Sequence, residues 1–212
     1  MKIKNLVWDW NGTIVNDAFL FVQIMNGLLE VAGLSQINLS DYKNKFCFPI
    51  QNYWRILGFT FTDETFNKMN TQFIINYKKK MHTPLLHPGI RSLFFFLKKK
   101  KINQFVVSAS ENTLLQSSVK YYNLSSCFCA VSGVNNLHAV GKDGVAFRVL
   151  SQYKLKKEET LWIGDTEQDF EIASSLGLPV VLVSFGHISK KRLIKTGAPV
   201  VSSIGELKNY IS

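Results

Sequence analysis

Apolar positions along the chain follow two rhythms. Short runs rich in β-branched and aromatic residues (Leu6-Val7-Trp8, Gln104–Val107, Cys127–Val131, Thr160–Ile163, Val180–Val183 and Val200-Val201) read as buried strands. Between most of them lie amphipathic stretches with helical spacing: Pro88–Lys100, Thr113–Tyr122, Val145–Tyr153, Asp169–Leu176 and Lys190–Thr196. Strands that are apolar throughout are covered on both faces. Their alternation with helices predicts an α/β fold, a Rossmann-like parallel sheet between two helical layers.

One stretch breaks the alternation. From about Asn16 to Leu86 no strand is predicted, while Ala18–Ala32, Ile50–Leu57 and Glu64–Lys80 carry apolar residues at helical spacing. The expected organisation is therefore a core of residues 1–15 and 87–212 with a helical cap, residues 16–86, inserted after the first strand. His87-Pro88-Gly89 punctuates the return to the core, and His87 is expected to be structural. Ligands of such sheets bind at the C-terminal strand ends. An insert leaving the chain there is placed to cover them as a lid.

Composition narrows the classes. The chain has 212 residues, 46% of them hydrophobic and 13% aromatic, which argues against disorder and allows a sizeable core. The longest apolar runs, Leu93–Leu97 and Leu178–Val183, are far below the roughly 18 residues of a membrane span. Lys2, Lys4 and Asn5 interrupt the N-terminal apolar residues, so no signal peptide is read there. Cys47, Cys127 and Cys129 form no disulfide framework; the last two alternate along a predicted strand and are expected to be buried. These features point to a cytoplasmic protein. They specify no oligomeric state. The net charge of +10 would attract anions. However, the lysine runs Lys78–Lys80 and Lys98–Lys101 close helical patterns, where cations complement the helix dipole. No nucleic-acid motif accompanies them, so nucleic acid is not the expected partner.

Candidate chemistry gathers at predicted strand ends. The first strand runs into Asp9-Trp10-Asn11-Gly12-Thr13, which taken alone also reads as a turn. The second ends at Ser108-Ala109-Ser110, where a hydroxyl can bind a phosphoryl oxygen. Ser110-Glu111-Asn112 also looks like a helix cap. Gly141-Lys142-Asp143-Gly144 opens a helical pattern with a cation at the end that disfavours one, a mismatch that a bound anion would offset. The fourth strand ends Gly164-Asp165-Thr166-Glu167-Gln168-Asp169, two carboxylates suited to a hard cation such as Mg²⁺.

This ordered set, spread from Leu6 to about Pro199, resembles the haloacid dehalogenase superfamily of phosphohydrolases. The position of the insert is similar to that superfamily's first cap type, and the phosphoglycolate-phosphatase-like branch is the nearest match. The resemblance implies a Mg²⁺-dependent phosphatase acting on a small phosphorylated metabolite. By it, Asp9 is the nucleophile that becomes an aspartyl-phosphate. Ser108 holds a phosphoryl oxygen, and Lys142 neutralises the phosphate. Trp10, Asn11 and Ala109 flank the phosphate with Ser108 and Lys142. Mg²⁺ falls to Asp9, the backbone carbonyl of Asn11, Asp165 and Asp169.

One position departs from the pattern. Related phosphatases carry a second aspartate two residues after the nucleophile, where this chain has Asn11, and an amide cannot do acid–base work. The expected consequences are a slow phosphatase, one restricted to good leaving groups, one with a proton donor in the cap, or a weak enzyme serving as a phosphate-binding regulatory protein. Phosphonate hydrolysis, a further alternative, needs a cap lysine, for which Lys43 and Lys45 are the candidates. The loop Phe46-Cys47-Phe48-Pro49 is the part of the cap expected to reach the substrate.

Overall fold

The computed structural model describes residues 2–211. Six parallel strands form one sheet: β1 (Asn5–Trp8), β4 (Asn103–Glu111), β5 (Ala130–Val134), β6 (Thr160–Gly164), β7 (Val180–Val183) and β8 (Val200–Val201), in the order β5-β4-β1-β6-β7-β8. β1 lies at the centre, Leu6 opposite Gln104 on one side and Leu161 on the other. Its residues are buried on both faces, as its apolar sequence requires. Helices α5 (Ile90–Lys99), α6 (Asn112–Tyr121), α7 (Lys142–Gln152), α8 (Glu167–Ser175), α9 (Lys190–Ile194) and α10 (Ile204–Lys208) complete the core. α5 turns Ile90, Leu93, Phe94 and Leu97 inward beneath Trp8, while α7 and α8 cover the other face through Val145, Val149, Ile172 and Ala173.

The stretch after β1 is helical: α1 (Ala18–Val31), α2 (Leu39–Lys45), α3 (Ile50–Ile56) and α4 (Asp63–Lys80). These helices bury Leu20, Met25, Tyr42, Trp54, Phe66 and Phe73 in an aromatic cluster of their own, joined by Leu182, Ile188 and Leu193 of the core. Two elements there go beyond the periodicity. α2 has only Tyr42 buried, and an Asn38–Asp41 capping box starts it. The expectation of no strand between Asn16 and Leu86 is corrected: β2 (Val15–Asn16) and β3 (Leu85–Leu86) pair antiparallel where the chain leaves and re-enters the core. Arg192 fastens the helical region a second time. Its guanidinium donates to the carbonyls of Lys43, Asn44 and Phe46 at the end of α2 and pairs with Glu167.

The third strand begins at Ala130 rather than Cys127, so Cys127 and Cys129 precede it. Cys129 is exposed and Cys127 half-buried, against the expectation that both are buried. No described helix is long and apolar enough to cross a membrane.

Candidate active site

The strand ends converge. Asp9 follows β1, Ser108 and Ser110 lie in the last part of β4, Asp165 follows β6, and Lys142 opens α7 behind Gly141. The Lys142 ammonium, 2% exposed, donates to Asp9 Oδ1 and to Asp169 Oδ1, each at 2.7 Å. These two carboxylates resolve the mismatch of a lysine at a helix start. Burial works against its charge, but Asp169 and Asp9 outweigh it and hold its pKa above the ordinary lysine value.

Carboxylate oxygens of Asp9, Asp165 and Asp169 lie within 4.8 Å of one another, all buried. Asp169 is saturated. Oδ1 accepts from Lys142 and Trp162 Nε1, and Oδ2 accepts from the amides of Asp165 and Thr166 and from the Thr166 hydroxyl. Asp165 accepts from the Thr13 hydroxyl at 2.7 Å and from the His187 amide at 2.6 Å. Burial pushes Asp9 up to about 7, against the pull of Lys142, and Asp165 up to about 6. A cluster with more carboxylates than ammonium groups either holds protons or takes a cation, and buried oxygen donors suit Mg²⁺. Gly12, at φ 74°, lets the turn close against Asp165 and His187: a Cβ there would lie 2.3 Å from Asp165 Oδ2 and from His187 Cδ2.

A cavity of about 120 Å³ opens over Asp9, lined also by Asn11, Ser108, Ala109, Ser110, Lys142 and His187. Thus Asp9, Asn11, Ser108, Ala109 and Lys142, picked from the sequence as catalytic or substrate-binding, share one wall. Trp10 does not. Its indole is buried in the core, donates to Ser118 Oγ at 3.0 Å and packs on Tyr122 and Phe128, because residues beside the nucleophile alternate between cavity and core. Only its backbone remains for the expected substrate role. Ser110 is not the cap of α6. Glu111 takes that place, accepting from the amides of Thr113 and Leu114, while Ser110 donates to Asn11 Oδ1 at 2.6 Å.

Asn11 is tied on all sides. Its amide nitrogen donates to Asp17 Oδ2 and to the Tyr77 hydroxyl at 2.7 Å. Asp17, fully buried, also accepts from the Gly12 amide and from His187 Nε2 at 3.2 Å. The Tyr42 hydroxyl lies 2.7 Å from His187 Nδ1. Burial disfavours protonating His187, but Asp17 and the other carboxylates pull its pKa up. Asp17, His187, Tyr42 and Tyr77 were not picked from the sequence. Asp17 precedes a helix and resembles a cap, though its side chain makes no cap bond. His187 sits in the loop after β7, and its strand-end position was the available signal. His87 is structural as expected, with Nε2 2.8 Å from the Gly12 carbonyl and burial lowering its pKa to about 4.

Phe46 and Phe48 of the Phe46–Pro49 loop line the cavity, while Lys43 and Lys45 do not. Lys43 donates to the Phe185 carbonyl and Lys45 is exposed, so neither candidate lysine for phosphonate hydrolysis faces the cavity.

Residues 6–183 match the family model described as haloacid dehalogenase-like hydrolase. The phosphoglycolate phosphatase of Rhodobacter capsulatus is 20% identical over 186 residues, covering 86% of this chain and 84% of its own. Two solved structures superpose over 99% or more of both chains with a TM-score of 0.84. They are a haloacid dehalogenase-like family hydrolase from Streptococcus pneumoniae, 17% identical, and Protein Tyrosine Kinase A of Mycobacterium tuberculosis, 18% identical. One architecture thus carries differently named activities, and function has to be argued from the site.

Proposed function

We propose that this chain, which belongs to the haloacid dehalogenase-like hydrolases and is a phosphatase, is a Mg²⁺-dependent hydrolase of small phosphomonoesters working through Asp9. The observation that carries this is Asp9 at the cavity floor, with Lys142 on one oxygen and Asp165 beside it. Asp9 and Asp165 have lone pairs left for a cation, and Asp169, already saturated, orients Lys142. When bound, Mg²⁺ screens the repulsion between carboxylate and phosphate and stabilises the transferring group's charge.

Asp9 attacks phosphorus, the ester P–O bond breaks, and the alcohol oxygen leaves with a proton from solvent. Water then attacks the phosphorus of the aspartyl-phosphate, the bond to Asp9 breaks, and phosphate and the free carboxylate result. Ser108 and Lys142 hold phosphoryl oxygens throughout. Three free cysteines suit a reducing cytoplasm. The substrate partner is a phosphorylated metabolite.

Asn11 favours a second reading, a slow enzyme retained as a phosphate-binding regulatory protein. Turnover of an aryl phosphate with and without Mg²⁺, in wild type and Asp9→Asn, separates them. Mg²⁺-dependent turnover lost in the variant supports the phosphatase. More than a few per cent of wild-type activity in the folded variant, far above the residue left when a nucleophile worth about 10⁶-fold is removed, overturns Asp9.

A further inference from the structure

The cavity over Asp9 carries its cation at one end and is mainly apolar beyond it, with Asn70, Glu111, Asn136, Gln168 and the hydroxyls of Tyr42 and Tyr53 as the polar exceptions. Beyond the phosphate end its wall is Phe21, Phe46, Phe48, Trp54, Phe73 and Tyr77, with aliphatic side chains between them. Positive charge on this wall comes from Lys142 and from His187 when protonated, and both are committed, to Asp9 and Asp169 and to Asp17. The remaining lining side chains bring no arginine and no second lysine. A substrate with a carboxylate on its organic part would press that charge against aromatic rings, with at most a neutral hydroxyl or amide and no free cation to meet it. Burying an unpaired charge is among the largest penalties a site can impose. The volume is also telling. About 120 Å³, which has to hold the phosphate as well, lies below the roughly 150 Å³ apolar cavity known to accept one benzene molecule, and so limits the organic part to one ring at most.

We infer that the organic part of the substrate is uncharged, apolar and about the size of one ring: the site takes the monophosphate of a compact aromatic or aliphatic alcohol and rejects phosphocarboxylates such as 2-phosphoglycolate. This rests on the phosphatase reading and adds to it. Phosphate, Lys142, Ser108 and Asp9 meet at one end, and the alcohol's hydrocarbon lies against Phe21, Phe46, Phe48 and Phe73.

The test uses three primary alkyl esters, so that leaving-group reactivity stays comparable: benzyl phosphate, ethyl phosphate and 2-phosphoglycolate. Each is assayed with the full chain at saturating Mg²⁺. Benzyl phosphate should exceed ethyl phosphate in kcat/KM by about 10–100-fold, the return on burying one ring, and 2-phosphoglycolate should fall below both. Turnover of 2-phosphoglycolate equal to or above that of benzyl phosphate overturns the inference while leaving the phosphatase standing. If no ester is hydrolysed the phosphatase reading fails, and binding still decides the pocket. Calorimetry should show benzylphosphonate binding more tightly than phosphonoacetate, and equal or reversed affinities overturn the inference. Ile74→Lys, which adds a cation to the apolar wall, should raise the kcat/KM ratio of 2-phosphoglycolate to benzyl phosphate by about tenfold or more, once its melting curve shows that it folds.

Discussion

Replacing Asn11 with Asp asks whether this residue is a missing acid or a fixed part of the site. In the structure its amide nitrogen faces the Asp17 carboxylate, so the new carboxyl would oppose a buried one at hydrogen-bonding separation. Two unit charges about 3 Å apart at an effective dielectric of about 20 repel by about 5 kcal/mol. Binding a proton costs less. Holding a carboxyl of ordinary pKa, about 3.9, protonated at pH 7 costs about 4 kcal/mol, and about 1.5 kcal/mol at pH 5. The new group's folded pKa therefore lies above its unfolded value. Its contribution is unimpaired below about pH 4 and is lost as pH rises. For a chain of this size the melting temperature should drop by about 8–16 °C at pH 7 but only about 3–6 °C at pH 5. Thermal melts of both proteins in chelator across this range measure it. The shared proton is also an acid, so alkyl-phosphate turnover at saturating Mg²⁺ should rise by up to about 10²-fold, with less effect on aryl phosphates. A melting difference that does not change with pH, or none at all, would refute the pairing of Asn11 with Asp17.

Further outcomes follow from the same contacts. Because burial holds Asp9 near 7 and Asp165 near 6, Mg²⁺ must displace protons, and its affinity should tighten from about pH 5.5 to 8; calorimetry in buffers of different ionisation enthalpy counts those protons, and pH-independent binding would refute the site. The metal-free protein has the opposite trend, its stability falling as pH rises from about 4 through 7, since both carboxyls are raised above their unfolded values. Gly12→Ala should cost about 2–5 kcal/mol in urea unfolding through its positive φ and the collision with Asp165 and His187, and a loss under about 1 kcal/mol would contradict that geometry. Tyr53→Phe should be neutral or stabilise by up to about 1 kcal/mol, because the buried Tyr53 hydroxyl finds no partner among the described residues; a clear loss would reveal a bond it makes.

The central strands and the helices beside them were readable because burial on both faces leaves them apolar after their first residues, Asn5 and Thr160. β5 was displaced toward Cys127 because Ser132 and Gly133 dilute its apolar run. Gly133 is needed there, since a Cβ would lie 2.4 Å from the Ser110 carbonyl oxygen. The short ribbon of β2 and β3 has too few residues to show a period. Asp9, Ser108, Lys142 and Asp165 stood out because Asp9 and Asp165 follow apolar strands, Ser108 comes late in β4 and Lys142 opens a helix. Asp17 and His187 were not, because 170 positions separate them and only the tertiary fold makes them partners.

Every crossing between the sheet and the helical region is made at one place, where Val15-Asn16 pairs with Leu85-Leu86. Asp9, Ser108 and Lys142 all lie outside that stretch, while the aromatic part of the cavity lining lies within it. Altering that one continuous run of codons therefore reshapes the aromatic lining while leaving Asp9, Ser108, Lys142 and Asp165 in place, provided that Asp17, Tyr42 and Tyr77, the partners of Asn11 and His187, are kept. The clasp of Arg192 on the end of α2 limits that freedom: a transplanted segment must still end a helix with its carbonyls turned toward that guanidinium.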